Sequence, residues 1–161
     1  MSKNDVTNVV FAGLGGQGVL KASDIMADVA FEAGFDVKKS EIHGMSQRGG
    51  SVTSDVRFGA EVASPMVPVG RVHYLVVLAP DQVDNNRGAL RPDGVLIEPN
   101  MIDSDRLPHQ RSINVALLGL LSKHLDISEE QWLKAIRNNL PEKLHQMNEK
   151  AFALGRKAGT A

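Results

Sequence analysis

An apolar run that ends in closely spaced glycines and passes straight into a helical pattern leaves a chain few ways to fold. This chain has such a run at "NVVFAGLGGQGVLKASDIMADVA", residues 8–30. Asn8 to Gly13 is short, β-branched and apolar, the form of a strand buried on both faces. From about Gly16 to Ala33 the apolar positions Val19, Leu20, Ala22, Ile25, Met26, Val29, Ala30 and Ala33 recur at helical spacing, with Gly34 as a C-terminal stop. "FDVKKSEI" then reads as a second strand. Strand, glycine turn, helix and strand together predict a parallel strand pair joined by a right-handed crossover.

The rest of the chain extends this pattern. "SVTSDVRF" alternates Val52, Ser54, Val56 and Phe58 with polar residues, which predicts a strand with two unlike faces. "GAEVASPMVPVG" is broken by Pro65, Pro68 and Gly70 and reads as a short strand or hairpin excursion. "VHYLVVLAP" is a further buried strand, Pro80 opens a helix to about Leu90, and Val95 to Glu98 forms a strand after the Pro92–Asp93–Gly94 turn. The C-terminal third is helical: Asn114 to His124, then a helix opened by the Ser128/Gln131 capping box, then one from Pro141 to about Gly159. The expected architecture is one domain over residues 1–161: a three-layer α/β/α, Rossmann-like fold with a mostly parallel sheet and a short hairpin excursion.

Composition narrows the chemistry. With no cysteine, the chain supplies no disulfide, no thiol nucleophile and no cysteine ligand for zinc or an iron–sulfur cluster. Its net charge of −1 and few aromatic residues give no footprint for nucleic acid. No apolar run approaches the roughly 18 residues that span a bilayer, and "MSKNDVTNVV" has no signal-peptide pattern. The expectation is a cytoplasmic protein without a membrane partner.

Two loops are the candidate site. Gly13, Gly15 and Gly18 form G-x-G-x-x-G, whose glycines permit positive φ angles and let helix N-terminal N–H groups approach an anion. A dinucleotide site also needs an acidic residue roughly 20 positions further on, on the ribose. Lys38 and Lys39 stand there, Glu41 comes slightly late, and the lysines would suit only a 2′-phosphate. The alternative is a tight turn that serves strand–helix packing. The second loop, "SQRGGS" from Ser46 to Ser51, sets the guanidinium of Arg48 beside two glycines, either as a fork for a carboxylate or phosphate or as a solvated turn. Both loops are expected at the end of the sheet where open α/β folds place ligands. The histidines, His43, His73, His109, His124 and His145, have no metal-ligand spacing, and no G-x-S-x-G elbow is present. No metal site and no catalytic residue is expected.

Taken together, "GLGGQGVLKASDIMADVAFEAGFDV", "HGMSQRGGSVTSDVRFG", "SPMVPVGRVHYLVVLAP", "NVALLGLLSKHL" and "NEKAFALGR" resemble the gamma subunit, or gamma domain, of 2-oxoacid:ferredoxin oxidoreductases from Val9 to Arg156. G-x-G-G-Q-G followed about thirty positions later by Q-R-G-G-S is more specific than either motif alone. The form "HGMSQRGGSV" is most similar to the beta subunit of indolepyruvate oxidoreductases, which is this gamma domain under another name. The resemblance implies a noncatalytic component of a complex that decarboxylates a 2-oxoacid such as indolepyruvate or pyruvate to an acyl-coenzyme A and reduces ferredoxin. Thiamine diphosphate, magnesium and iron–sulfur clusters would sit in the alpha, beta and cluster-bearing partners, and none on this chain. Gly13, Gly15, Gly16, Gln17 and Gly18 match the family's first loop, and Gln47, Arg48, Gly49, Gly50 and Ser51 its second. Both would face the partner subunits, with coenzyme A or substrate passing close by. In isolation the chain would expose that surface and form a homodimer. An independent nucleotide-binding Rossmann module is the competing reading. "IEPNMIDSDRLPHQRSIN" is short for an indolepyruvate-type chain, which bears on the choice of substrate.

Overall fold

In the computed structural model, which describes residues 5–44 and 50–158, five strands form one sheet in the order β2-β3-β1-β4-β5. They are β1 (Val6–Leu14), β2 (Asp36–His43), β3 (Ser51–Gly59), β4 (Val72–Val77) and β5 (Leu90–Ile97). β1 and β2, expected as a parallel pair, are not neighbours. Helix α1 (Val19–Glu32) carries the chain past one strand position, and the turn after β2 folds β3 back into the gap, antiparallel to both. β4 pairs in parallel with β1, and β5 with β4, so four strands point one way and β3 opposes them.

The hairpin is therefore β2–β3, one segment earlier than expected, and among the described residues no strand forms between Ala60 and Arg71. Pro65 and Pro68 deny that segment a ladder, and side chains from the sheet satisfy its backbone instead. Asp36 and Asp55 accept from the N–H groups of Val62 and Val67 at 2.8 and 2.9 Å. Arg57 donates to the carbonyls of Ser64 and Met66 at 2.8 and 3.1 Å. The helix expected from Pro80 is likewise broken. Only Val83–Asn86 (α2) is α-helical, between two 3₁₀ turns, and Asn86 donates back to the Gln82 carbonyl at 2.7 Å. β5 starts earlier than its apolar run because Leu90 pairs with Val72 across a bulge that absorbs the Pro92–Gly94 turn.

Alternation along β1 divides the core. Val9 and Phe11 face a thick layer formed by α1, α3 (Ile113–Ser122), α4 (Glu129–Asn139) and α5 (His145–Lys157), while Val10 and Ala12 face Leu75, Val77 and Val83. The three layers are thus unequal, since short helical turns and the Ala60–Arg71 segment are what cover the second face. Within the thick layer Trp132 and Phe152 pack with ring centroids 5.9 Å apart. α3 and α5 approach until a Cβ on Gly155 would stand 1.8 Å from the Ala116 carbonyl oxygen and one on Gly119 2.2 Å from that of Phe152. The capping box at Ser128 and Gln131 opens α4 as expected. Among the described residues no helix is long and apolar enough to cross a membrane.

Candidate functional site

The glycine turn and the β2–β3 connection meet at one end of the sheet. The N–H of Gly15 donates to the carbonyl of Gly50 at 2.9 Å, and Leu14 lies opposite Ser51 in the β1–β3 ladder. A second backbone bond, from Gly44 N–H to Ser51 carbonyl at 2.6 Å, closes the neck of the connection. Gln47, Arg48 and Gly49 lie outside the described residues. Gly15 and Gly16 are exposed, and the turn floors a cleft of about 250 Å³ lined chiefly by Leu14, Gly16, Gly18, Val19, Lys21, His43 and Val52.

The turn's own bonds determine what it can hold. Gln17 folds its side chain back so that Oε1 accepts from the N–H of Leu14 at 2.7 Å. That oxygen lies 2.8 Å from where a Cβ on Gly13 would be, so the buried Gly13 makes room for Gln17 and touches no solvent-borne ligand. The Gln17 N–H in turn bonds the Leu14 carbonyl at 3.2 Å. Three N–H groups of the turn, those of Leu14, Gly15 and Gln17, are therefore spent within the chain and are not available to an anion. Gly16 and Gly18 both adopt φ +86°, the left-handed region that L-residues enter only with strain.

Asn114, on the first turn of α3, completes the turn's support. Its Nδ2 donates to the Gly18 carbonyl at 3.2 Å while its Oδ1 accepts from the Val115 N–H at 2.9 Å. The residue did not stand out in the sequence, where it reads only as the polar head of an apolar helix. The one cue was its polarity at a position that "INVALLGLL" otherwise keeps apolar.

The strand order also removes the ribose-binding position of a dinucleotide site. With β3 interposed, β2 lies two strands from β1, about 10 Å away. Lys39, near the expected acid's place, pairs instead with Asp24 of α1 and, at 3.4 Å, with Glu41. Among the described residues no three His, Asp or Glu side chains are grouped to hold a metal ion.

The sequence matches the family described as pyruvate ferredoxin/flavodoxin oxidoreductase over residues 8–108 and 100–158. The chain belongs to this family. As a pyruvate ferredoxin/flavodoxin oxidoreductase family member it is 31% identical to indolepyruvate oxidoreductase subunit IorB of Thermococcus kodakarensis, over 94% of this chain and 95% of that one. It is 34% identical to the common gamma subunit of the pyruvate/ketoisovalerate oxidoreductases of Pyrococcus furiosus, over 55% of this chain and 49% of the relative. The fold is shared with the gamma subunit of a keto/oxoacid ferredoxin oxidoreductase from Geobacter sulfurreducens, TM-score 0.76 at 23% identity, over 96% of both chains. It is also shared with 31% of a chain of the 2-oxoglutarate:ferredoxin oxidoreductase from Magnetococcus marinus, covering 95% of this one, TM-score 0.80 at 18% identity. Within the family the chain is thus of the gamma or IorB type, a subunit of a 2-oxoacid oxidoreductase. The two matched stretches overlap at residues 100–108, in the connection from β5 to α3 that reads as short for this type.

Proposed function

We propose that this chain is the noncatalytic gamma-type component of a thiamine diphosphate-dependent oxidoreductase that converts an arylpyruvate such as indolepyruvate to its acyl-coenzyme A with reduction of ferredoxin. The observation that carries the substrate class is coverage. The match to the Thermococcus indolepyruvate subunit runs over 94% of the chain, whereas that to the pyruvate/ketoisovalerate gamma subunit stops at 55%.

The residues of this chain do not fit the cofactors of such a reaction. There is no cysteine to ligate a cluster, and the described His, Asp and Glu side chains form no ligand group for magnesium. Thiamine diphosphate, magnesium and the clusters are assigned to cytoplasmic partner subunits, and ferredoxin is the acceptor. The role assigned to this chain is to present a docking surface at the Gly13–Gly18 and Gln47–Ser51 loops, with Arg48 as the cation for an anionic group of the substrate or of coenzyme A.

The occupied N–H groups of the glycine turn and the displaced β2 weigh against the competing dinucleotide-binding reading. The substrate profile of the complex co-purified from its source tests the proposal. Indolepyruvate should exceed pyruvate and 2-oxoglutarate in kcat/KM by at least about tenfold, the range one pocket fit supplies, and Arg48→Ala should lower turnover. Preference for pyruvate would reverse the substrate assignment. Micromolar binding of NAD or NADP to the isolated chain by calorimetry would favour the competing reading.

A further inference from the structure

At the end of the sheet opposite the glycine turn, three arginines on or beside different strands line one cleft of about 790 Å³. Arg57 comes from β3, Arg71 directly precedes β4 and Arg91 lies near the start of β5. The strand order brings them together although they are scattered in sequence, which is why no motif announces them.

Each is held differently. Arg57 is fixed by bonds from Nε to Asn8 Oδ1 at 2.8 Å and from Nη1 to two backbone carbonyls, and Nη2 has no bond among the described residues. Arg91 leans on Asp93 through Nε at 2.5 Å. Arg71 has its backbone carbonyl tied to Asn8 Nδ2 at 2.9 Å, but its guanidinium makes no hydrogen bond or ion pair among the described residues. His73 also lines the cleft, and its Nδ1 accepts the Asn8 N–H at 3.0 Å. The neutral ring therefore carries its proton on Nε2 and offers a donor. Burial first, and then Arg91, hold the His73 pKa below the ordinary histidine value of 6.5, which keeps that tautomer at neutral pH. Both ends of the Asn8 amide are used within the protein. Asp5 is the single carboxylate among the described lining residues.

We propose that this cleft binds a phosphate-bearing small molecule, its phosphate oxygens taken by Arg71 and Arg91 against the fixed guanidinium of Arg57. Planar guanidinium forks match a phosphate dianion, and among the described lining residues the cations are arginines and not lysines. The cleft exceeds a bare phosphate and lies in the size range of small-molecule sites, so it has room for a second phosphate or an organic body beside the first. The site is separate from the glycine turn and stands whether or not the arylpyruvate assignment does.

The phosphate can come from the free ion or from a nucleotide, and the test separates them. Inorganic phosphate, pyrophosphate and ADP are titrated into the full chain by calorimetry at fixed ionic strength. The expected result is saturable binding, with ADP or pyrophosphate at least about tenfold tighter than inorganic phosphate and Arg71→Ala weakening it at least about tenfold. Arg71→Ala should leave the Tm near that of the parent because the residue is exposed and its guanidinium makes no hydrogen bond or ion pair among the described residues, and Arg137→Ala, on α4 across the sheet, should leave the affinity unchanged. Three results each overturn the proposal: no saturable binding of any of the three, equal loss with Arg137→Ala, or competition won by a polyglutamate peptide, which would make the cleft a protein-docking surface.

Discussion

The amide of Asn114 reaches across 96 positions of sequence to hold the carbonyl of Gly18 at 3.2 Å. The contact joins the first helix after the glycine turn to the core helix α3, so the exposed face of the turn is set from beneath by a residue that takes no part in it. Gly18 is boxed in by that contact: its φ is +86°, and a Cβ would stand 2.5 Å from Asn114 Nδ2.

Gly18→Ala is expected to cost about 1–2 kcal/mol for the left-handed backbone, with the clash adding to it. Asn114→Ala should cost about 1 kcal/mol for the lost buried bond. The double variant should lose less than the sum, because the alanine at 114 removes the clash. Urea denaturation of the three variants measures this, and strict additivity would show that the two residues do not share space.

Gly155→Ala and Gly119→Ala should each destabilise by about 3 kcal/mol or abolish folding, since the obstructing atoms are backbone carbonyls of the facing helix. Gly88→Ala, with nothing within 4 Å of its Cβ, should stay within about 0.5 kcal/mol of the parent. Thermal melts of the three separate these outcomes.

Asp55 supports the loop over β3 but bears a cost when ionised. Burial raises its pKa above the ordinary value of 3.8 in spite of the Val67 bond and nearby Arg57. In the window above 3.8 the folded chain holds this proton more tightly than the unfolded chain, so stability from this group falls as pH rises through the window. Asp55→Asn keeps an acceptor for the Val67 N–H and sheds the charge. At neutral pH it should match or exceed the parent, while Asp55→Ala should fall below Asp55→Asn.

His73 and His124 act in a different window and with the opposite sign. Burial is the larger cause and a neighbouring cation the lesser, Arg91 for His73 and Lys123 for His124, and both pKa values lie below 6.5. As pH falls below about 6.5 the unfolded chain takes up protons that the folded chain refuses, so stability declines until the folded pKa values are passed. A pH series of urea midpoints should show this decline, and His73→Asn/His124→Asn should flatten it.

How much of this was legible in the sequence differs between local and long-range features. The glycine turn, α1 and the capping box at Ser128 follow from spacing within a few turns of chain, and they stand where the residues put them. The insertion of β3 between β1 and β2 was not legible. Val52, Ser54, Val56 and Phe58 specify a face turned to the helices but not the neighbour on either side, and β1 pairs with β3 along all nine of its residues. The segment with Pro65 and Pro68 reads as a short strand or hairpin, yet among the described residues no strand forms there, and the side chains that replace the ladder, Asp36, Asp55 and Arg57, come from strands and give no local signal. The cleft of Arg57, Arg71 and Arg91 was hidden for the same reason.

In the proposed complex this chain contributes surface and no reacting group to a 2-oxoacid oxidoreductase. Indolepyruvate- and coenzyme A-dependent ferredoxin reduction, assayed on the isolated chain, on its partner subunits alone and on the reconstituted complex, tests it most directly. No turnover is expected of the isolated chain, and full turnover only when it rejoins its partners. Turnover by the isolated chain would show that it carries a reacting group, and an undiminished rate without it that its surface is not needed.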